Sequence, residues 1–340
     1  MTDVSVGLVG CGKISGIYLD NAPRLDGVRF VACTDVDMQR AQAVANERAI
    51  RALSAEELVA DPEVQVVLCL TPPDFHAEVM LQAIAAGKHV YTEKPLATSV
   101  DDARWVLSQA AGAGVLVGSA PDTFLGAGIQ TIKRALDDGV IGPPAVAQIR
   151  LLAGPPERWH PSPAFLYAEL SGPLMDLGPY AVATAIELFG PVTQVTALAT
   201  MPRTSGVTLD GTEFPIQEPT RVAGVLAHES GVITTITTTD DANGPARYGV
   251  EVHGLDGTLL GGDPNTFDGP VVLARRGELD QTLPLVSQWN ENSRGLGLED
   301  LCRAVRDGTP QRASGERGLQ VVETLLEMRE IALDRLTPST

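Results

Sequence analysis

Short, densely apolar runs alternate with segments whose apolar positions recur every three or four residues through the first 120 residues. Residues 4–9, 28–34, 64–70, 89–92 and 115–119 read as strands. Residues 64–70 are almost wholly apolar, as a central parallel strand buried on both faces must be. Between them, residues 38–47 read as helix, and Ser54-Ala55-Glu56-Glu57 forms a capping box that opens another. Ala77, Met80, Leu81 and Ile84 share one helical face, as do Ala103, Val106, Leu107 and Ala110 after the cap at Ser99. Strands alternating with helices predict a doubly wound parallel sheet.

Beyond Pro121 the pattern changes. A helix over about 125–138 is followed by a strand at 145–152, a Pro-rich loop at 154–161 and a helix reaching Phe189. From there β-branched runs dominate, at 192–200, 221–228, 232–239, 248–253 and 258–260. Their hairpin-like spacing predicts an α+β domain built on a large, mostly antiparallel open sheet. Helices near 298–306 and 315–334 close the chain. A chain of 340 residues exceeds what one core usually serves, and the change of pattern divides it at 1–120 and 121–340.

Composition narrows the function classes. With 44% hydrophobic residues the chain is neither disordered nor membrane-like, and a formal charge of −18 sets it against nucleic acid and anionic membrane surfaces. Cys11, Cys33, Cys69 and Cys302 lack C-x-x-C spacing, which predicts buried free thiols and neither a disulfide framework nor a metal site. The N-terminus runs directly into a strand, and no segment approaches a membrane span, so the cytoplasm is the expected compartment.

The chemistry concentrates at strand ends. Gly10-Cys11-Gly12-Lys13-Ile14-Ser15 follows the first strand as a G-x-G-x-x-S turn, where glycines let backbone N–H groups approach a pyrophosphate. Asp35 ends the second strand, where a ribose-binding carboxylate belongs. A carboxylate about 4 Å from a 2′-phosphate repels it by roughly 4 kcal/mol at an effective dielectric near 20, which favours NAD over NADP. Thr71-Pro72-Pro73 and Glu93-Lys94-Pro95 end two further strands. Pro95 stops the ladder and restricts Lys94 to extended geometry, so its ammonium is held at the sheet edge that faces the ligand crevice. His76, His89, His228 and His253 read as local structural histidines.

On these residues, and on the stretch from Gly172 to Tyr180, the whole chain resembles the Gfo/Idh/MocA oxidoreductases. That resemblance implies a Rossmann domain followed by a substrate domain whose sheet also serves subunit contacts, in a homodimer or homotetramer. It implies cofactor contacts at Gly10, Gly12, Lys13, Ile14, Asp35, Thr71, Pro72, His76, Glu93 and Lys94, and substrate contacts at Lys94, Asp122, Trp159, His160, Asp176 and Tyr180. Lys94 resembles the family lysine beside the reacting oxygen, and Asp176 the aspartate of the substrate domain. Tyr180 stands where inositol dehydrogenases have histidine, as in branches that use tyrosine as acid/base. Pro73 replaces a common asparagine.

The implied reaction is NAD-dependent oxidation or reduction of a secondary alcohol or ketone on a sugar, inositol or related polyol. A free tyrosine near pKa ~10 is a poor base at neutral pH, and a nearby ammonium would lower that value. His160, in the Pro-rich loop beside Trp159, is the competing base because histidine titrates in the useful range. Two other classes share the fold: a glycoside hydrolase that uses NAD transiently, and a non-catalytic dinucleotide-binding regulator.

Overall fold

The computed structural model describes residues 3–242 and 244–336, which form two compact units. The first comprises the chain up to Leu125 together with Asn292–Val322; the second comprises Gly126–Glu291 and the chain from Glu323 onward. A single cut at residue 120 leaves the returning segment with the second domain, whereas by contact it belongs to the first unit.

In the first unit, β1 (Val4–Val9), β2 (Val28–Thr34), β3 (Arg51–Ala52), β4 (Val66–Cys69), β5 (His89–Thr92) and β6 (Val117–Ser119) form one parallel sheet in the order β3-β2-β1-β4-β5-β6. This is a doubly wound order whose direction reverses between β1 and β4, and ligands bind outside the strand ends at such a switch point. Val6, Leu8, Val66, Val67, Leu68 and Val90 are fully buried, as expected for strands covered on both faces. The crossovers run through α1 (Ser15–Asn21), α2 (Met38–Arg48), α3 (Ala55–Ala60), α4 (His76–Ala85) and α5 (Val100–Ala113). Ser54 caps α3 in a complete capping box, and Ser99 accepts from the Asp102 N–H to cap α5.

In the second unit, α6 (Ala127–Asp137) leads into β7 (Pro144–Leu152), and α7 (Gly172–Phe189) into β8 (Val192–Thr200). A short hairpin, β9 (Ser205–Val207) and β10 (Glu213–Pro215), stands apart. Then follow β11 (Arg221–His228), β12 (Ile233–Thr239), β13 (Arg247–Gly254), β14 (Thr258–Gly261), β15 (Val271–Ala274) and β16 (Gln281–Leu283). The sheet order is β16-β15-β14-β13-β7-β12-β11-β8, antiparallel throughout except where β12 runs parallel to β7. Side chains alternate: Val222, Leu226, Ile236, Ile149 and Val250 are buried on one face, while Val146, Leu198, Val225 and Ile233 are exposed on the other. α7 packs on the buried face against β7, β11 and β12. At Gly178 the helix meets Leu325, on a later helix: a Cβ there would stand 2.7 Å from Leu325 Cδ2.

The last helices are α8 (Leu296–Asp307) and α9 (Gly315–Asp334). α8 packs on β1, β2, β5 and β6 of the first unit, where Leu298, Leu301 and Cys302 are buried. Its entry is fixed by Asp122, whose Oδ2 accepts the Gly295 and Gly297 N–H groups at 2.9 and 3.0 Å. Asp122 is 2% exposed. Burial pushes its carboxyl up to about 6, although the two backbone donors pull it down. The native protein therefore holds this proton more tightly than the unfolded chain, where an aspartate titrates near ~3.9. The resulting stabilisation is complete below about pH 4 and is lost as pH rises through about 6, up to roughly 3 kcal/mol at ~1.4 kcal/mol per pH unit.

Asparagine keeps an oxygen for both N–H groups and cannot ionise. Asp122→Asn is expected to gain up to about 3 kcal/mol on the wild type between pH 4 and pH 7, measured by denaturant unfolding. A stability difference that stays constant over that range would show that Asp122 is ionised throughout.

Candidate active site

The first unit gathers its ligand-facing groups around the switch point. Gly10 ends β1 with φ +97°, and a Cβ there would stand 2.8 Å from both C and O of Leu70 at the end of β4. Only glycine fits between these strand ends. Gly12, by contrast, has no protein atom within 4 Å of where a Cβ would stand, which is the open backbone a pyrophosphate needs. Ser15, in place of a third glycine, donates its hydroxyl to Gly12 O at 2.7 Å and closes the turn. Asp35 ties the turn to β2: its Oδ2 accepts the Cys11 N–H at 2.8 Å and its Oδ1 the Asp37 N–H at 2.9 Å. Lys13 is exposed, and Ile14 is half-buried as the residue before α1. These residues fit a dinucleotide. One neighbour was not foreseen from the sequence: Arg40, a turn into α2, places Nη1 3.4 Å from Asp35 Oδ1.

Beyond Thr92 the chain is held by side chains rather than by a partner strand. Glu93 Oε1 accepts the fully buried Tyr18 hydroxyl at 2.7 Å, and Oε2 accepts the Lys94 N–H at 3.0 Å. His76 is 1% exposed, with Nδ1 2.7 Å from Pro95 O and Nε2 2.9 Å from Thr71 O. Both the Lys94–Pro95 and Ala120–Pro121 peptides are cis. Lys94 and Thr71 remain half-exposed and Pro72 exposed. Three residues expected among the ligand contacts are therefore committed to the frame. His76 and Glu93 spend their polar atoms on strand-end backbone and Tyr18, and Asp122 is buried under α8.

In the second unit, Asp176 and Tyr180 sit four residues apart on α7 and so share a face. The helix begins at Gly172-Pro173, and Asp176 lies inside it. Proline is favoured in the first turn because no N–H is needed there, which explains this start. Tyr180 is 8% exposed, and Asp176 is half-buried. The Pro-rich loop divides into two parts. Trp159 is 67% exposed, and the His160 ring sits edge-on to Trp159 and to Phe165. His160 Nδ1 accepts the Ser162 N–H at 3.0 Å, leaving Nε2 as its free atom for chemistry. Glu157, in the same loop, takes Arg203 Nη1 and the Tyr167 hydroxyl, both at 2.6 Å. Arg203 Nε also donates to Asp241 Oδ1 at 3.1 Å. This inward network carried no sequence signal, since its members are scattered singly over more than 80 residues.

The remaining histidines serve locally: His89 Nδ1 accepts the Leu116 N–H, His228 bridges Gly190 O and Thr234 Oγ1, and His253 meets Thr258 Oγ1. All four cysteines are free and buried. No helix among the described residues is long and apolar enough to cross a membrane.

Comparison with known proteins bears directly on this arrangement. Residues 4–120 match the model of the oxidoreductase family with an NAD-binding Rossmann fold, and residues 129–260 match the Gfo/Idh/MocA C-terminal domain. The chain is 31% identical over 291 residues to a 1,5-anhydro-D-fructose reductase of Ensifer adhaerens, covering 82% of each protein. It is 24% identical to a myo-inositol 2-dehydrogenase of Thermotoga maritima over 97% of this chain and 99% of that one. An NAD-binding oxidoreductase from Klebsiella pneumoniae has the same fold, with a TM-score of 0.83 and 25% identity over 98% of each chain. With its Rossmann crevice, its Glu93-Lys94-Pro95 strand end and these relatives, the chain belongs to the Gfo/Idh/MocA family of NAD(P)-dependent oxidoreductases.

Proposed function

We propose that this enzyme interconverts a secondary alcohol and a ketone on a sugar, inositol or related polyol, with NAD preferred over NADP. The observation that carries the reading is the rigid mounting of Lys94, a half-exposed lysine fixed at the end of a central strand by Glu93 and His76. Relatives named for 1,5-anhydro-D-fructose and for myo-inositol support the polyol class.

When bound, nicotinamide supplies the carbon that accepts or gives hydride. The protein must then stabilise an oxygen that gains charge and move one proton. Lys94, as a fixed ammonium, favours the alkoxide character of the reacting oxygen, and such charge stabilisation is commonly the largest catalytic contribution. Tyr180 takes the hydroxyl proton in oxidation and returns it in reduction. Asp176, on the same helical face, accepts from a neighbouring hydroxyl and sets the ring's orientation. The sequence Asp176-Leu177-Gly178-Pro179-Tyr180 supports placing the chain in a tyrosine-using branch. His160 is the weaker candidate because its Nδ1 already accepts the Ser162 N–H. The exposed sheet face bearing Leu198, Val225 and Ile233 is the surface we assign to homo-oligomer contacts.

Cofactor choice rests on Asp35, whose charge repels a 2′-phosphate, with Arg40 offsetting part of that repulsion. In a fluorescence titration NADH is expected to bind at least about tenfold more tightly than NADPH, a margin of ~1.4 kcal/mol. Asp35→Ala, with Arg40 retained, should narrow or reverse that margin. Equal affinities in the wild type would remove the role given to Asp35.

With a polyol that is turned over, Lys94→Ala should lower kcat by about 10³ or more while NADH affinity stays near the wild-type value. Tyr180→Phe should cost about 10²–10⁴ in kcat, the range of general acid–base catalysis. A pH–rate limb that disappears in His160→Ala and persists in Tyr180→Phe would transfer the proton to His160.

A further inference from the structure

Along β12 the even-numbered residues Thr234, Ile236 and Thr238 face the α7-covered side of the sheet, each at most 1% exposed. Asp240 follows the strand at a bend, is 8% exposed and feels the charge of Asp176 on α7. Its N–H donates to Thr220 O at 3.2 Å, where the chain bends at the end of the strand. On β13, Tyr248 stands opposite Leu151 and shares this face with Val250 and Val252. Carrying the β13–β14 register two residues past Val250↔Gly261 sets Asp263 opposite Tyr248. α7 covers this face, and the Asp176 charge acts on both Asp240 and Tyr248.

The acids of this wall are not equivalent. Asp241 takes the Arg203 and Arg221 Nε donors at 3.1 and 3.0 Å and the Thr220 hydroxyl, while Glu157 takes Arg203 and Tyr167. The Asp240 carboxyl has no hydrogen-bond donor among the described residues. A buried polar group without a partner is costly unless a proton or a ligand satisfies it. Burial, then the charges of Asp176, Asp241 and Glu157, push Asp240 up to about 7, and Arg203 only partly opposes them.

We propose that Asp240 is a substrate-binding residue that donates its carboxylic O–H to an oxygen of an uncharged polyol, and that the acidic wall it shares with Asp176 and Asp263 turns away sugar acids. The inference deepens the polyol reading above and rests on it. Asp176 accepts from one hydroxyl while Asp240 donates to an adjacent oxygen, so two neighbouring positions on the ring are read with opposite hydrogen-bond polarity. As pH rises through neutrality Asp240 loses the donated proton, and affinity for a neutral polyol falls with it.

Two measurements test this, and neither needs turnover. In protein carrying carbon-13 at the aspartate carboxyl, the Asp240 signal, identified by its loss in Asp240→Asn, should titrate near neutrality. A midpoint in the ordinary range near 4 overturns the proposal. In calorimetric titrations of the NADH-loaded protein, myo-inositol should bind about tenfold more weakly at pH 8.5 than at pH 6, and D-glucuronate at least tenfold more weakly than myo-inositol at pH 7. Asp240→Asn, which keeps an N–H donor and does not ionise, should flatten the pH dependence; Asp240→Ala should weaken myo-inositol binding about tenfold at pH 6 and leave it near the wild-type value at pH 8.5. Unfolding temperatures of both variants confirm that they fold. Tight myo-inositol binding unaffected by either variant overturns the role of Asp240 alone. NADH binding with no affinity for myo-inositol or D-glucose overturns the polyol reading and this inference together.

Discussion

Two backbone carbonyls at strand ends that no ladder can satisfy, those of Thr71 and Pro95, lie 2.9 and 2.7 Å from the two ring nitrogens of buried His76; burial lowers its pKa, and the neutral ring has one N–H, which it can donate to one of the two. Pro72, Pro73 and Pro95 remove the N–H groups that would otherwise continue pairing beyond β4 and β5. A buried carbonyl left without a donor costs about 1–3 kcal/mol, so chain ends built this way need a side chain to complete them. His76, the first residue of α4, supplies one such donor from within the crossover that joins the two strands. Glu93 completes the restraint from the other side, joining Tyr18 on α1 to the Lys94 amide. The position of Lys94 thus follows from prolines that end the strands and from two polar residues that repair what the prolines remove.

The same exchange recurs in the second unit at larger scale. Its sheet is covered on one face by α7, a helix of small residues in which Gly178 meets Leu325 and Ala181, Ala183 and Ala185 are all but fully buried. Close approach of helix and sheet leaves little depth for large polar side chains except at the strand ends, where Asp240 and Tyr248 stand. From α9, Arg329 reaches the buried Glu218 with paired donors from Nε and Nη2 at 2.6–3.1 Å. Glu218 also accepts the Leu170 N–H, which fixes the residues that enter α7. Asp176 and Tyr180 therefore take their place from a buried ion pair and a tight helix–sheet contact.

Legibility in the sequence followed the strength of the local pattern. Strands buried on both faces, such as β4, announce themselves as unbroken apolar runs, and the glycines of the nucleotide turn are required by backbone geometry alone. β15 and β16 escaped notice because short edge strands of mixed polarity carry no clear period. The start of α7 was left open by the sequence; Gly172-Pro173 opens the helix, and Pro179 lies inside it. Among the site residues, type and position identified Lys94, Asp176 and Tyr180 as candidates, but sequence did not reveal that polar atoms of His76, Glu93 and Asp122 meet backbone and tyrosine partners. That depends on which groups surround each polar atom. Asp240 was invisible for a related reason: β12 is rich in threonine on both faces, so its binary pattern does not reveal which face Asp240 joins.

Donor supply also gives the acidic composition a local meaning. Asp35, Glu93, Glu157, Glu218 and Asp241 each have donors at hand, from backbone N–H groups, from tyrosine or from arginine. Groups so supplied act as fixed joints between elements. Asp240 receives no such donor among the described residues, and its oxygens are left to a proton, to water or to a ligand hydroxyl. A carboxyl in that condition is poor scaffolding but good recognition, because its hydrogen-bond polarity is completed only when a substrate arrives. A chain carrying 43 acidic residues can therefore devote many of them to solubility and internal joints and still keep one buried carboxyl, Asp240, for recognition.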